Sequence, residues 1–91
     1  MSTHPSQAEV REWRRRFGVQ CQQRAWELAQ LTERNEAQER EMLESARTAV
    51  LYLEEVGSPS ELARAEAIQD LVVCLLHPAS DSPQTAPAQA A

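Results

Sequence analysis

Cys74 and His77 stand three residues apart, a spacing that places two side chains on one face of a helix. Thiolate and imidazole are both zinc ligands, but a metal site takes four ligands, or three and a water. Cys21 would have to complete the set, and His4 lies near the N-terminus, far from both in sequence. A lone buried cysteine and a histidine at a helix end account for the same residues without a metal. Glu39, Glu41 and Glu44 offer carboxylates, but acid–base work needs burial to shift a pKa, and these fall on a polar helix face. The chain has two glycines in all, so it has no glycine-rich phosphate loop. The sequence predicts no catalytic residue, no metal and no cofactor, and a non-enzymatic protein.

The remaining chemical candidate is "EVREWRRRFGVQ", residues 9–20, where four arginines surround Trp13 and Phe17. On a helix, Val10, Trp13 and Phe17 fall within about 60° of one another and form the expected buried edge. Arg11, Arg14 and Arg15 flank that edge as a candidate basic patch. Arg16 follows Glu12 by one turn, where a Glu-to-Arg pair forms readily. The patch could contact phosphate or an acidic partner. It also fits a solvated helix face whose arginine stems cover apolar surface.

Charge bears on that choice. The 91 residues carry a net charge of −5, with nine arginines and no lysine. Residues 1–31 hold +2 and residues 32–91 hold −7. An acidic chain with one mildly basic end is a poor generic nucleic-acid binder. The segment "VREWRRRFGVQCQQRAWELAQL" resembles the first two helices of a repressor-type helix-turn-helix, with Gly18 and Ala25 at that family's glycine-to-alanine spacing. The resemblance implies DNA reading by a following recognition helix. Arg24 stands where the family keeps a buried apolar residue, and the following "TERNEAQERE" is acidic. A nucleic-acid-binding regulator is thus the alternative reading, and nucleic acid is not the expected partner.

These residues must be positioned by helices. "EEVGSPSEL" is the sharpest local signal. Gly57 suits the left-handed residue that closes a helix. Ser58 then serves as N-cap, Pro59 as first helical residue, and Glu61 completes a capping box. Two antiparallel helices should meet here. Ser6 and Glu9 make a second capping box. The predicted fold class is all-α: a small helical hairpin or three-helix bundle in one domain, residues 6–77, with helices about 7–33, 35–56 and 59–77. Residues 1–5 and 78–91 are expected to be disordered, the latter being Pro-, Ala-, Ser- and Gln-rich. Gly18 raises the prospect of a kink. Residues 32–41 allow either a turn near Asn35 or one continuous helix from Val19 to Val56.

The apolar faces suggest what the protein does. "LVVCLL", residues 71–76, is apolar on every side and calls for cover on every side. Trp26 lies about 140° around the helix from Trp13, so one narrow core cannot hold both. Either the helix breaks at Gly18 and both are core, or Trp26 anchors a partner. The candidate partner or dimer interface is therefore Trp26, Leu28, Leu31, Leu71, Val72, Val73, Leu75 and Leu76. The expected function is a small protein–protein interaction module: an adapter, a chaperone-like subunit or an inhibitor of a larger protein. A homo-oligomer is expected, with a protein partner and no membrane. The N-terminus lacks a signal-peptide core and no transmembrane run occurs, so the expected location is cytoplasmic. Removing residues 78–91 should leave the thermal midpoint unchanged, because that segment has no aliphatic side chain larger than alanine to bury. Circular dichroism at fixed protein concentration checks this, and a drop of several degrees would show that the segment packs on the helices.

Overall fold

A computed structural model of the chain describes residues 6–77. The expected disordered ends, 1–5 and 78–91, and with them His4, lie outside the described residues. Three helices follow one another: α1 Gln7–Ala29, α2 Glu36–Val56 and α3 Pro59–Leu76. The fold is all-α, and the chain does turn near Asn35. α2 is the central helix. α1 and α3 pack chiefly on it and meet one another less.

Each helix starts the same way. Ser6, Asn35 and Ser58 are N-caps whose side chains accept from the backbone N–H of Glu9, Gln38 and Glu61. The side chains of those three residues accept in return from the cap N–H, closing three capping boxes. Pro59 occupies the first turn of α3, where a missing N–H costs nothing.

α1 ends at Ala29, four residues short of the predicted 33. The guanidinium of Arg34 is the physical reason. Its Nη1 donates to the carbonyls of Leu28, Ala29 and Leu31 at 3.3, 3.4 and 3.1 Å. A cation set on the carbonyl end of a helix satisfies its orphan acceptors and its dipole together. The Asn35–Gln38 box then starts α2 without glycine or proline.

The core follows α2. Met42, Ala46, Ala49 and Leu53 are fully buried, at spacings of four, three and four. One cluster joins Met42 and Ala46 to Ala25 and Leu28 of α1 and to Ile68 and Val72 of α3. A second joins Ala49 and Leu53 to Ala65. Alanine at four of these positions lets the helices approach closely, so the core is thin and exacting in shape.

Both glycines depart from expectation. α1 runs unbroken through Gly18, which is buried against α2. A methyl group placed on Gly18 would lie 3.0 Å from Leu53 Cγ and 3.1 Å from Tyr52 Cβ. Gly57 has φ −88° and ψ 167°, and no residue among those described has positive φ. It is therefore not a left-handed cap. It is glycine because a methyl there would sit 2.9 Å from the Leu53 carbonyl oxygen. The penalty of a larger side chain at 57 comes from contact, not from backbone strain.

Gly18→Ala should therefore destabilise. The helix-propensity gain is about 1 kcal/mol, and overpacking against fixed neighbours costs about 1–3 kcal/mol. Asn35→Ala should cost about 1 kcal/mol through the lost cap. Each should lower the thermal midpoint by several degrees in a domain this small. A raised midpoint for Gly18→Ala would mean that the α1–α2 crossing has slack.

Candidate functional site

The arginine-rich start of α1 is tied into the fold. Arg14 pairs with Glu55 of α2 at 3.1 Å. Arg15 pairs with Glu12 at 3.0 Å and with Glu61 of α3. Arg16 takes the expected partner, Glu12, at 3.1 Å. Two members of the candidate basic patch thus hold α1 against the two other helices. Arg11 makes no ion pair among the described residues. Farther along, Arg24 pairs with Glu41 at 2.8 Å and joins α1 to α2 again. These are surface pairs worth little singly, but they fix how the helices are set against one another.

Glu61 does two jobs. One carboxylate oxygen accepts from the Ser58 N–H and the other from Arg15. The turn residues of the hairpin therefore also anchor α3 to α1.

The aromatic residues are placed differently from expectation. Trp13 is 60% exposed and is not part of a buried edge. It stacks on Phe17 with ring centroids 5.5 Å apart, and Phe17 meets Tyr52 edge-on at 5.2 Å. The i,i+4 spacing lets Trp13 lie along the helix over Phe17 instead of pointing into α2. Since α1 does not break at Gly18, the reading with both tryptophans in the core falls. Trp26 is 45% exposed.

The predicted interface residues divide in two. Leu28 and Val72 are fully buried in the core and are unavailable to a partner. They face each other's helix across α2, which is why a bundle needs them. Leu75 and Leu76 are half-buried. Leu71 and Val73 are 37% and 43% exposed, and Leu31 stands out of the α1–α2 turn. The "LVVCLL" segment is therefore covered by α1 and α2 on one side only.

Between α1 and α3 runs a groove. Trp26, Gln22 and Gln23 of α1 line it with Arg64 and Ile68 of α3, about 400 Å³ in volume. It continues past Val19 to Ser60 and Glu61. Gln22 is the residue that the sequence reading missed. It is only 9% exposed, yet its side chain makes no hydrogen bond among the described residues. No pattern marked it, because glutamine is a good helix former anywhere.

The sulfur and carboxylate candidates stay apart. Cys74 is exposed, Cys21 is half-buried, and burial pushes the Cys21 thiol pKa up. Among the described residues no cluster of three His, Cys, Asp or Glu side chains could hold a metal ion. Nor is any described helix long and apolar enough to cross a membrane. Residues 10–29 of that segment lie in one continuous helix, so the two helices of a helix-turn-helix are not formed there. No known protein family matches the chain, and neither a curated protein nor a solved structure matches it.

The hydrogen bond from Arg24 holds the Glu41 carboxyl below its ordinary pKa, and Arg15 then Arg16 do the same for Glu12. A folded-state pKa lowered in this way adds stability above the unfolded carboxyl range, near about 4.3. That stability is lost as pH falls through the folded value. In an NMR titration both carboxyls should protonate at lower pH than a free glutamate. Arg24→Gln should return Glu41 toward the ordinary value. An unchanged Glu41 titration in that variant would mean that the pair does not form in solution.

Proposed function

We propose that the protein is a non-enzymatic, self-associating protein–protein interaction module, serving as adapter, chaperone-like subunit or inhibitor of a larger protein. The observation that carries this reading is the α1–α3 groove. Its wall combines the half-exposed indole of Trp26 with Gln22, a largely buried residue whose amide faces the open groove and makes no hydrogen bond among the described residues. Tryptophan at such a rim is the residue type that most often anchors an interface. An amide that faces an open groove can bond to a group that another molecule brings there. A second support is the exposed apolar surface at Leu71 and Val73, which borders the same helix.

The arginines at the start of α1 do not favour a nucleic-acid role. Arg14 and Arg15 are engaged with carboxylates of this chain, so little free positive charge remains to release counterions.

The reading is tested by capture from native lysate on immobilised wild-type and Trp26→Glu protein, both matched in helicity by circular dichroism. Proteins retained by the wild type and lost by the variant are expected. Identical sets on both, or a retained fraction that is nuclease-sensitive, would overturn it.

A further inference from the structure

The wall of the α1–α3 groove changes character along its length. One end is closed by the Arg15–Glu61 ion pair, whose charges offset one another. Trp26 and Ile68 make the other end apolar. Gln22 and Arg64 border both stretches. Arg64 is exposed and makes no ion pair among the described residues, although Arg14, Arg15, Arg16 and Arg24 all do. One turn away from it on α3 stand Ser60, Glu61, Ala67 and Ile68. The carboxylate among these is already held by Arg15 and by the Ser58 N–H. The groove thus sets an uncompensated guanidinium beside an indole, with an amide between them.

We infer that the groove takes an extended peptide segment of another protein, with a carboxylate side chain on Arg64, a large apolar side chain on Trp26 and Ile68, and a main-chain peptide group on the Gln22 amide. The inference rests on the interaction role proposed above and names the chemistry of the partner. A carboxylate matches the guanidinium in charge and can take two parallel N–H bonds from it. An apolar side chain gains area on the indole face.

Spacing and hydrogen bonding fix the form of the segment. Arg64 and Ile68 are four helical residues apart, about 6 Å along the axis. In an extended chain, residues two apart share a side at about 6.6 Å. A helix would meet the same spacing with residues four apart, and Gln22 decides between the two. Its amide both donates and accepts. A helical segment keeps its main-chain N–H and C=O groups for itself, so it would cover Gln22 and strip its water without replacing it. An extended segment brings a free N–H and C=O to the amide.

The test is a selection of random displayed peptides on the full-length wild-type protein and on Arg64→Glu and Trp26→Glu, all matched in helicity by circular dichroism. The wild type should enrich Asp or Glu two residues from a large apolar residue. On Arg64→Glu the apolar residue should persist and the acidic position should turn to Lys or Arg. Trp26→Glu should enrich neither pattern. A selected peptide, synthesised with capped ends, should shift the NMR signals of the Trp26 indole N–H and the Gln22 side-chain amide and leave the Trp13 indole in place. Gln22→Leu should weaken that peptide about two- to tenfold, the loss of one hydrogen bond. Acidic and apolar residues enriched four apart in peptides that bind as helices, or a set that Arg64→Glu leaves unchanged, would overturn the inference and leave the groove as a partner site. An empty selection would overturn it as well, and the lysate capture would then decide the broader reading alone. Trp26 and Gln22 signals that move with protein concentration in the absence of peptide would overturn it by placing a second copy in the groove.

Discussion

Leu53 touches both of the chain's glycines, and the packing of the three helices follows from that contact. Its side chain fills the space where α1 crosses α2 at Gly18, and reaches back over Gly57 at the end of its own helix. At 18, any side chain would push α1 away from α2. At 57, any side chain would press on the carbonyl and side chain of Leu53. The crossing and the hairpin turn are therefore not independent. The alanines of the core act in the same sense. Ala25, Ala46, Ala49 and Ala65 contribute little apolar area, so each must be in close contact to be useful. The domain rests on close approach more than on bulk.

That reliance explains which parts of the fold could be read from sequence. The helix content and the hairpin at Ser58–Glu61 follow from spacing and capping alone, and sequence reasoning reached them. The turn before Asn35 is just as local. Asn35 and Gln38 form a capping box like the two that were recognised, with asparagine and glutamine in place of serine and glutamate. Arg34 was opaque for a different reason. Its role depends on where its guanidinium folds back, and arginine on a polar stretch has many such choices. Gly18 and Gly57 were misread because a glycine has two uses. It supplies unusual backbone angles or it makes room, and one sequence does not say which. Here both make room.

The chemical candidates were misleading in an instructive way. The cluster at the start of α1 resembles a site because charged residues and aromatics are concentrated there. In the folded chain Arg14 and Arg15 are divided between α2 and α3, so the cluster marks where three helices converge. Gln22, with no distinguishing pattern, is the polar residue that packing buries most. A polar side chain becomes informative only when its burial and its partners are both known. The sequence supplies neither, because α1 and α3 are joined through residues far apart in the chain. Leu28 and Val72 show the same limit from the other side. Their composition suited an interface, and tertiary packing took them for the core.

The weak α1–α3 contact connects stability to function. Helix pairs that follow one another in sequence, α1 with α2 and α2 with α3, are antiparallel and well packed. α1 and α3 run parallel and are held chiefly by the Arg15–Glu61 pair at one end and by Leu28, Ile68 and Val72 farther along. Between those points the groove stays open at Trp26 and Gln22. Closing it with larger core residues would stabilise the monomer and remove the surface. Leaving it open places part of the apolar area on the outside, where binding another chain adds to the stability of the fold itself. A three-helix domain of about this size is marginal alone. On the proposed reading, a partner that covered α3 would strengthen the same α2–α3 hairpin that presents it.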